Sequence, residues 1–270
     1  MKILFFLGIV LVSTVHADVK TQKTSKKPSK QNDNIESKQT NPSSFQIGGN
    51  YTHVNLKIHG EPSFQGNLGG LQGSYEYRPW NNFYGAIKAS WKEGNTESSE
   101  AERSLVYVDV QERLGYTYAS DGKKFILSLF SGFGYRHLGQ ELHQSRQPSI
   151  QFDYNEFYIP VGFLSGFFFN SWCSLGLNLV WMPQVYPTVK IVPLPGARWI
   201  IKSTLNNILV ELPLSFFVTQ NKRYSLIFKP FYEHWEDGKT TAKTSTGTAL
   251  GLPANIYNFW GAELNFAISF

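Results

Sequence analysis

The last eleven residues of the chain alternate between two sets of side chains, one largely apolar and one largely polar or small. One parity carries Trp260, Ala262, Leu264, Phe266, Ile268 and Phe270. The other parity carries Gly261, Glu263, Asn265, Ala267 and Ser269. A period of two predicts an extended strand with one apolar and one polar face. A strand that separates lipid from a polar lumen needs this pattern, and a terminal aromatic on its apolar face is unusual for the edge strand of a soluble sandwich.

The opposite end of the chain has the pattern of a secretory signal peptide. In residues 1–17, Lys2 supplies one positive charge, an apolar run follows, and a small-residue site ends at Ala17. We predict cleavage after Ala17. The apolar run is too short to span a bilayer as a helix. Because Cys173 is the single cysteine, export to an oxidising compartment adds no disulfide within the chain.

Residues 18–43 differ in composition from the rest of the chain. They contain no aromatic residue, and Val19 and Ile35 are their aliphatic residues. Such a segment buries too little apolar surface to fold, so we predict that it is disordered. It holds six lysines against three acidic residues, which accounts for much of the formal net charge of +5. The basic balance therefore does not indicate a nucleic-acid partner.

Residues 44–270 contain ten segments with strand periodicity. The predicted strands are 44–58, 67–79, 83–93, 104–119, 123–138, 153–169, 172–185, 205–219, 223–236 and 256–270. Tight turns rich in Asn, Asp and Gly alternate with longer connections. This asymmetry is typical of transmembrane barrels, with turns in the periplasm and loops outside. We predict an all-β, transmembrane antiparallel up-and-down β-barrel of about ten strands, within a range of about eight to twelve, with the 18–43 tail in the periplasm.

Apolar side chains are predicted to face lipid and polar ones the lumen. Aromatic residues cluster at the strand ends, as in the two aromatic girdles of such barrels. The predicted lumen charge network consists of Glu76, Arg78, Lys88, Lys92, Asp109, Arg113, Arg136, Glu156, Glu211, Lys229, Glu233 and Glu263. A barrel this narrow is filled by side chains. The balance of signs favours a pairing network over a selective pore, which would line its constriction with one sign.

Three features disagree with a simple alternation. Glu112 falls on the predicted lipid face, so we expect a β-bulge or a local register error there. In the strand 44–58 the apolar parity changes between Tyr51 and Val54. Residues 157–189 carry no charge, which also permits a helical hairpin in a membrane, although their prolines, glycines and alternation favour strands.

No motif in the chain predicts catalysis. His143 and His234 lie in or beside predicted loops, and neither has the spacing of a nucleophile with a positioned base. The scattered histidines and one cysteine do not match metal-ligand spacing, and no glycine-rich phosphate loop is present. We therefore predict no enzyme, no catalytic residue, no cofactor and no metal site.

The C-terminal stretch AELNFAISF resembles the terminal signature of bacterial outer-membrane barrels. With the signal peptide and the loop asymmetry, the chain resembles small bacterial outer-membrane β-barrel proteins, including the OmpA-like and Opa-like barrels. This resemblance implies a multi-pass location in the outer membrane, contact with its lipid, and folding by the outer-membrane insertion machinery. Its implied assembly signal is Phe270, Ile268, Phe266 and Leu264.

The predicted function is that of a structural or interaction protein, adhesin-like, that binds a host or envelope ligand through its external loops. The predicted loops are 94–103, 139–152, 186–204 and 237–255. Loops carry function when a rigid scaffold presents them. The 186–204 loop is stiff and apolar and is expected to cover the barrel mouth or contact a partner. A passive narrow pore for ions or small solutes is the alternative, and a hydrolase site at the rim is the second alternative.

Overall fold

The computed structural model describes residues 41–99, 101–143, 149–192, 198–240 and 251–270. The predicted signal peptide and nearly all of the 18–43 tail lie outside these residues. Strands 1 to 5 are Ser43–Ile58, Phe64–Tyr77, Asn82–Glu97, Glu102–Ala119 and Phe125–His143. Strands 9 and 10 are Tyr224–Asp237 and Asn255–Ser269. Each is continuous, and each overlaps a predicted strand.

Strands 6, 7 and 8 are interrupted. Strand 6 comprises Ile150–Tyr158 and Val161–Phe168. Strand 7 comprises Cys173–Leu175, Asn178–Trp181 and Gln184–Val192. Strand 8 comprises Arg198–Ile200, Ile208–Glu211 and Leu214–Phe217. Pro160, Pro183 and Pro213 lie at three of the breaks, because proline cannot donate to the strand ladder.

The ten strands form a closed antiparallel barrel. Neighbours in sequence pair with each other, and strand 10 pairs with strand 1 from Ser44 opposite Ser269 to Ile58 opposite Asn255. The predicted fold class and strand number are confirmed. Residues 157–189 form strands rather than a helical hairpin. Among the described residues, no helix is long and apolar enough to cross a membrane.

Three of the four predicted loops are wrong in extent. Strands 3 and 4 continue through most of 94–103, and strands 5 and 6 through most of 139–152. Much of 186–204 also lies in strands 7 and 8, with Tyr186 at a φ of 52° beside a register shift that accommodates Pro187. In these regions polar side chains face outwards, so the sequence resembles loop although the strand ladder continues. The 237–255 connection alone remains long.

The strand 1 register shows why the apolar parity changes. Its pairing with both neighbours is continuous, and Val54, Leu56 and Ile58 are buried inside the barrel. His53 and Lys57 face outwards on the parity that carries Tyr51. The strand therefore keeps its geometry while its outward side chains change from apolar to polar.

The loop end of the barrel consequently contains an apolar core, which we call the outer core. It includes Val54, Leu56, Ile58, Phe64, Leu68, Leu105, Leu138, Val189, Ile191, Trp199, Ile201, Trp235, Tyr257 and Phe259. We call the part of the barrel wall that surrounds the outer core the collar. It lies on the loop side of the apolar outer band, which is the belt of outward-facing apolar side chains nearer the tight turns. The collar has the polar-out, apolar-in pattern of a water-soluble barrel.

The apolar outer band is bounded by aromatic residues at both ends. Near the collar these are Tyr51, Trp91, Tyr135, Phe157, Trp181, Tyr232 and Trp260. Near the tight turns they include Tyr75, Tyr77, Phe83, Tyr116, Tyr118, Phe125, Trp172 and Phe270. Glu112 lies on this band midway between the two girdles, directly opposite Ile87 and Phe133 in an unbroken ladder. The expected bulge or register error at Glu112 is therefore wrong.

Candidate functional site in the barrel lumen

The twelve predicted lumen charges all lie on the inward parity of their strands. Lys92, Arg113, Arg136, Glu156, Glu211, Lys229, Glu233 and Glu263 are buried. Glu76, Arg78, Lys88 and Asp109 are partly buried. Strand alternation brings these side chains into one narrow channel, where charge must be paired or hydrogen-bonded.

Four of these charges form a closed alternating ring, which we call the central lattice: Lys88, Glu211, Lys229 and Glu263. Lys88 Nζ lies 3.0 Å from a carboxylate oxygen of Glu211 and 3.5 Å from one of Glu263. Lys229 Nζ lies 3.3 Å from Glu211 and 2.5 Å from Glu263. Each lysine therefore contacts both glutamates. Because Lys88 is on strand 3 and Glu211 on strand 8, the ring joins opposite walls of the barrel.

Neutral amides complete the central lattice. Gln72 Nε2 donates to Glu263 Oε2 at 2.5 Å and to Asn265 Oδ1 at 2.7 Å. Asn178 Nδ2 donates to Glu211 Oε2 at 3.0 Å. The Asn178 bond satisfies the Glu211 oxygen that the lysines do not reach, and Gln72 adds a second donor to the Glu263 oxygen that Lys229 contacts. A buried ion-pair network needs such additional hydrogen bonds to be stable. The sequence did not single out these amides because they carry no charge. Their position on the inward parity of their strands would have indicated that they face the lumen.

A second layer lies between the central lattice and the outer core. Lys92 Nζ is 3.8 Å from Glu233 Oε2, and it lies 4.8 Å from the ring centres of both Tyr107 and Phe231. The Tyr107 hydroxyl donates to Glu233 Oε1 at 2.9 Å. The ammonium is thus enclosed by one carboxylate and by aromatic faces, which attract cations through their ring quadrupoles.

Arg136 lies within the outer core and is fully buried. Its Nη1 is 3.7 Å from Glu156 Oε2, and its guanidinium carbon is 4.2 Å from the Trp235 ring centre and 5.1 Å from that of Tyr107. Aromatic stacking compensates a guanidinium better than it compensates an ammonium. Arg136 therefore packs as part of the core.

The remaining predicted lumen charges have separate partners. Arg78 Nη2 donates to the Leu164 carbonyl at 2.7 Å, and Arg78 Nε lies 3.9 Å from Glu76. Asp109 accepts a hydrogen bond from the Tyr158 hydroxyl at 2.6 Å. Arg113 donates to Gln111 and its guanidinium carbon lies 4.7 Å from the Phe130 ring centre.

One ion pair near the loop end was not predicted. Arg103 Nη2 lies 2.9 Å from Glu61 Oε2, and Arg103 Nη1 donates to Gln140 at 3.0 Å. Sequence analysis missed Arg103 because the predicted loop 94–103 hid its inward parity.

A small cavity lies between the central lattice and the second layer. Its lining includes Lys88, Lys92, Glu211, Glu233 and Glu263. The arrangement can exclude solutes and hold opposite walls of the barrel together. Within the described residues, no group of three or more His, Cys, Asp or Glu side chains could hold a metal ion.

Comparisons with solved structures find the same architecture. The outer-membrane protease OmpT from Escherichia coli matches with a TM-score of 0.57 and 11% identity, over 86% of this chain and 97% of that chain. The chain has the fold of a small outer-membrane β-barrel. The transport unit of the autotransporter AIDA-I from Escherichia coli has a TM-score of 0.49 and 12% identity, over 89% and 93% of the two chains. Ail, the attachment invasion locus protein of Yersinia pestis, has a TM-score of 0.37 and 10% identity, over 84% and 99%.

The predicted resemblance to outer-membrane barrels is confirmed for the fold. No protein-family model and no curated protein matches the sequence. Because one fold supports several functions, the fold does not select among them.

The histidines considered for catalysis lie on the outer surface of the barrel. His143 Nε2 lies 3.1 Å from the Ser104 hydroxyl oxygen. His234 Nδ1 lies 2.9 Å from Asn258 Oδ1, and His53 Nδ1 lies 2.9 Å from Asn67 Oδ1. The two histidine–asparagine pairs link adjacent strands just above the aromatic girdle and contain no nucleophile.

The residues of the predicted assembly signal lie on the apolar outer face of strand 10. Leu264, Phe266 and Phe270 are exposed on the outer band, and Ile268 is on the same parity. The Phe270 backbone N–H donates to the Ser43 carbonyl at 2.9 Å, beside the closing pair of strands 1 and 10. The Phe270 side chain therefore lies outside the lumen and is exposed at the turn end of the barrel.

Proposed function

We propose that this outer-membrane barrel is a closed scaffold that acts as a structural or interaction protein through its loop end. The observation that supports this most is the central lattice, which joins opposite walls of the lumen. A conducting lumen would need a continuous hydrated path, whereas the second layer and outer core add further side chains along the same axis.

The collar gives the loop end a rigid platform. In outer-membrane barrels the short turns face the periplasm, so the collar and the 237–255 connection face the outside, and the 18–43 segment lies in the periplasm. The outer core stabilises the collar without help from lipid. A long connection on a rigid platform is a common arrangement for binding a ligand.

The proposed ligand site is the 237–255 connection, of which residues 241–250 lie outside the described residues. The test replaces 241–250 by Asn-Gly and compares cells that carry the parent and the variant. Attachment to immobilised host-cell matrix protein is measured, with folding checked by a heat-modifiable gel shift. Loss of attachment with an intact barrel supports the proposal. Equal attachment by parent, variant and cells that lack the protein contradicts it.

The passive-pore alternative is separated by a second measurement on the same cells. Uptake of a small hydrophilic dye should be equal in cells with and without the protein, because the lumen is filled. Faster dye uptake in cells with the protein would contradict the closed scaffold and support the passive-pore function instead.

A rim-site hydrolase is the second candidate, and the Ser104–His143 contact favours it. Glu102 lies directly opposite His143 in the strand register. Among the described residues, however, no side chain other than Ser104 is hydrogen-bonded to the His143 ring, so none orients the imidazole as a base. Nucleophilic catalysis needs that third group. We expect no hydrolysis of a p-nitrophenyl ester by the refolded protein. Hydrolysis that is lost in Ser104→Ala and kept in Ser131→Ala would establish the enzyme instead.

We also propose that the terminal strand is read by the outer-membrane insertion machinery. The exposed apolar parity that ends at Phe270 supports this, because it presents a continuous row of side chains that the folded barrel does not bury.

A further inference from the structure

Charge is segregated around the collar. The acidic face consists of the outward residues Glu93, Glu97, Glu102 and Glu141 on strands 3 to 5. The basic face consists of Lys190, Arg198, Lys202 and Lys239 on strands 7 and 8 and the start of the 237–255 connection. Among the described outward collar residues, strands 3 to 5 carry no Lys or Arg, and strands 7 and 8 carry no Asp or Glu.

Each face places like charges directly opposite one another. Glu97 pairs with Glu102 across strands 3 and 4, and Lys190 pairs with Arg198 across strands 7 and 8. Lys202 N–H donates to the Lys239 carbonyl at 2.9 Å, which brings two more cations together. Like charges at directly opposed positions destabilise a sheet. The acidic face therefore carries a repulsion that a surface of opposite charge would relieve. On the basic face, Lys190 also lies directly opposite Asp153 of strand 6, so its surplus of positive charge comes mainly from Arg198, Lys202 and Lys239.

The membrane restricts which surfaces of two copies can meet. Every copy has the same depth and a parallel axis, so collars lie at the same height. Strand 6 separates the two faces, and their centres are about a third of the way around the ten-strand barrel. A contact between the acidic face of one copy and the basic face of the next is therefore heterologous, and it builds rings or rows in the membrane plane.

Apolar side chains lie at the foot of the basic face. Leu205 is 62% exposed and Tyr186 is 63% exposed, beside the girdle residue Trp181. On the acidic side, Trp91 and Val106 are exposed at the corresponding boundary. A contact between the two faces would cover these side chains as well as pair the charges.

We propose that the basic face docks the acidic face of a second copy of this chain. The charge complementarity of the two faces, their equal height and the like-charge pair Glu97–Glu102 carry the inference. This self-association is independent of the proposed ligand function of the 237–255 connection.

The test uses the full refolded chain in zwitterionic vesicles at low ionic strength. Donor and acceptor dyes are placed on the single Cys173, near the turn end and away from both faces. The first variant is Glu97→Lys with Glu102→Lys, and the second is Lys190→Glu with Arg198→Glu. Lys57→Glu, on strand 1 of the collar, is the matched control. A heat-modifiable gel shift confirms folding of each sample.

Energy transfer above the level of random encounters is expected for the parent and for Lys57→Glu. It should be lost in either double variant alone and restored when the two are mixed, because each supplies the face that the other lacks. It should also be lost in the parent at high salt, since exposed charges are then screened.

Three outcomes would overturn the proposal. Transfer that neither double variant changes would place the contact elsewhere. Failure of the mixture to restore transfer would show that the charges do not pair between copies. The third outcome is that the parent shows no energy transfer but binds vesicles that contain a phosphorylated glycolipid, and that only the basic-face variant loses this binding. That outcome would assign the basic face to lipid phosphate. If a variant does not fold, the salt dependence of the parent decides alone.

Discussion

Lys88 Nζ lies 3.0 Å from Glu211 Oε1, although the two residues belong to strands on opposite sides of the barrel. This contact crosses the lumen. Lys229 and Glu263 close the ring around it, so the central lattice is both a seal and a tie between the barrel walls. This ring is the main structural reason to regard the barrel as a closed scaffold.

Glu211→Gln should destabilise the barrel. The substitution leaves Lys88 and Lys229 to share Glu263, and removing one partner from a buried ion-pair network costs about 3 kcal/mol. Urea unfolding of the micelle-refolded protein, followed by tryptophan fluorescence, measures the change in free energy of unfolding.

The double variant Glu211→Gln with Lys229→Met is the control. It removes one charge of each sign and leaves Lys88 paired with Glu263, so stability should recover to within about 1 kcal/mol of the parent. A single variant as stable as the parent would show that the lattice contributes nothing to folding.

Glu112→Leu should stabilise the barrel in lipid by about 1 kcal/mol, because a carboxylate on the lipid face near the midplane is unfavourable. Val110→Glu, one position along the same face, should have the opposite effect. Unfolding in phosphatidylcholine vesicles measures both changes. Destabilisation by Glu112→Leu would show that the carboxylate has a partner in the membrane.

Tryptophan quenching should locate the membrane boundary. Trp181 is 43% exposed on the outer band, whereas Trp199 is 1% exposed in the outer core. In brominated-lipid vesicles, Trp181→Phe should lower the quenchable part of the emission, and Trp199→Phe should lower the part that is not quenched. Quenching of Trp199 by the lipid would contradict the collar as a water-exposed structure.

Phe270→Ser should lower the amount of folded barrel in the outer membrane of cells but leave refolding in detergent unchanged. The substitution keeps the backbone bonds of residue 270 with Ser43 and removes only the exposed ring. Heat-modifiable gel shifts on membrane fractions and on refolded protein measure the two effects. Val218→Ala, another exposed residue at the turn end, is the matched control. Equal loss in both assays would indicate a stability effect rather than recognition.

The strands could be predicted because period-two alternation is local. The collar could not be predicted, because alternation shows that a strand has two unlike faces but not which of them faces water. From the sequence alone, Val54 and Tyr51 are both apolar residues of one strand, and only the closed barrel shows that Val54 faces inwards and Tyr51 outwards. The lumen charges could also be placed by parity. Their pairing could not, since Lys88 and Glu211 are brought together only by closure of strand 10 on strand 1. Gln72 and Asn178 carried no charge that would have indicated their role.

Single-channel conductance of the refolded chain in a planar bilayer tests the closed lumen most directly. The account predicts no discrete steps from protein whose folding is confirmed by a heat-modifiable gel shift. Reproducible steps from the folded parent would contradict it, because an open lumen is incompatible with the ring formed by Lys88, Glu211, Lys229 and Glu263.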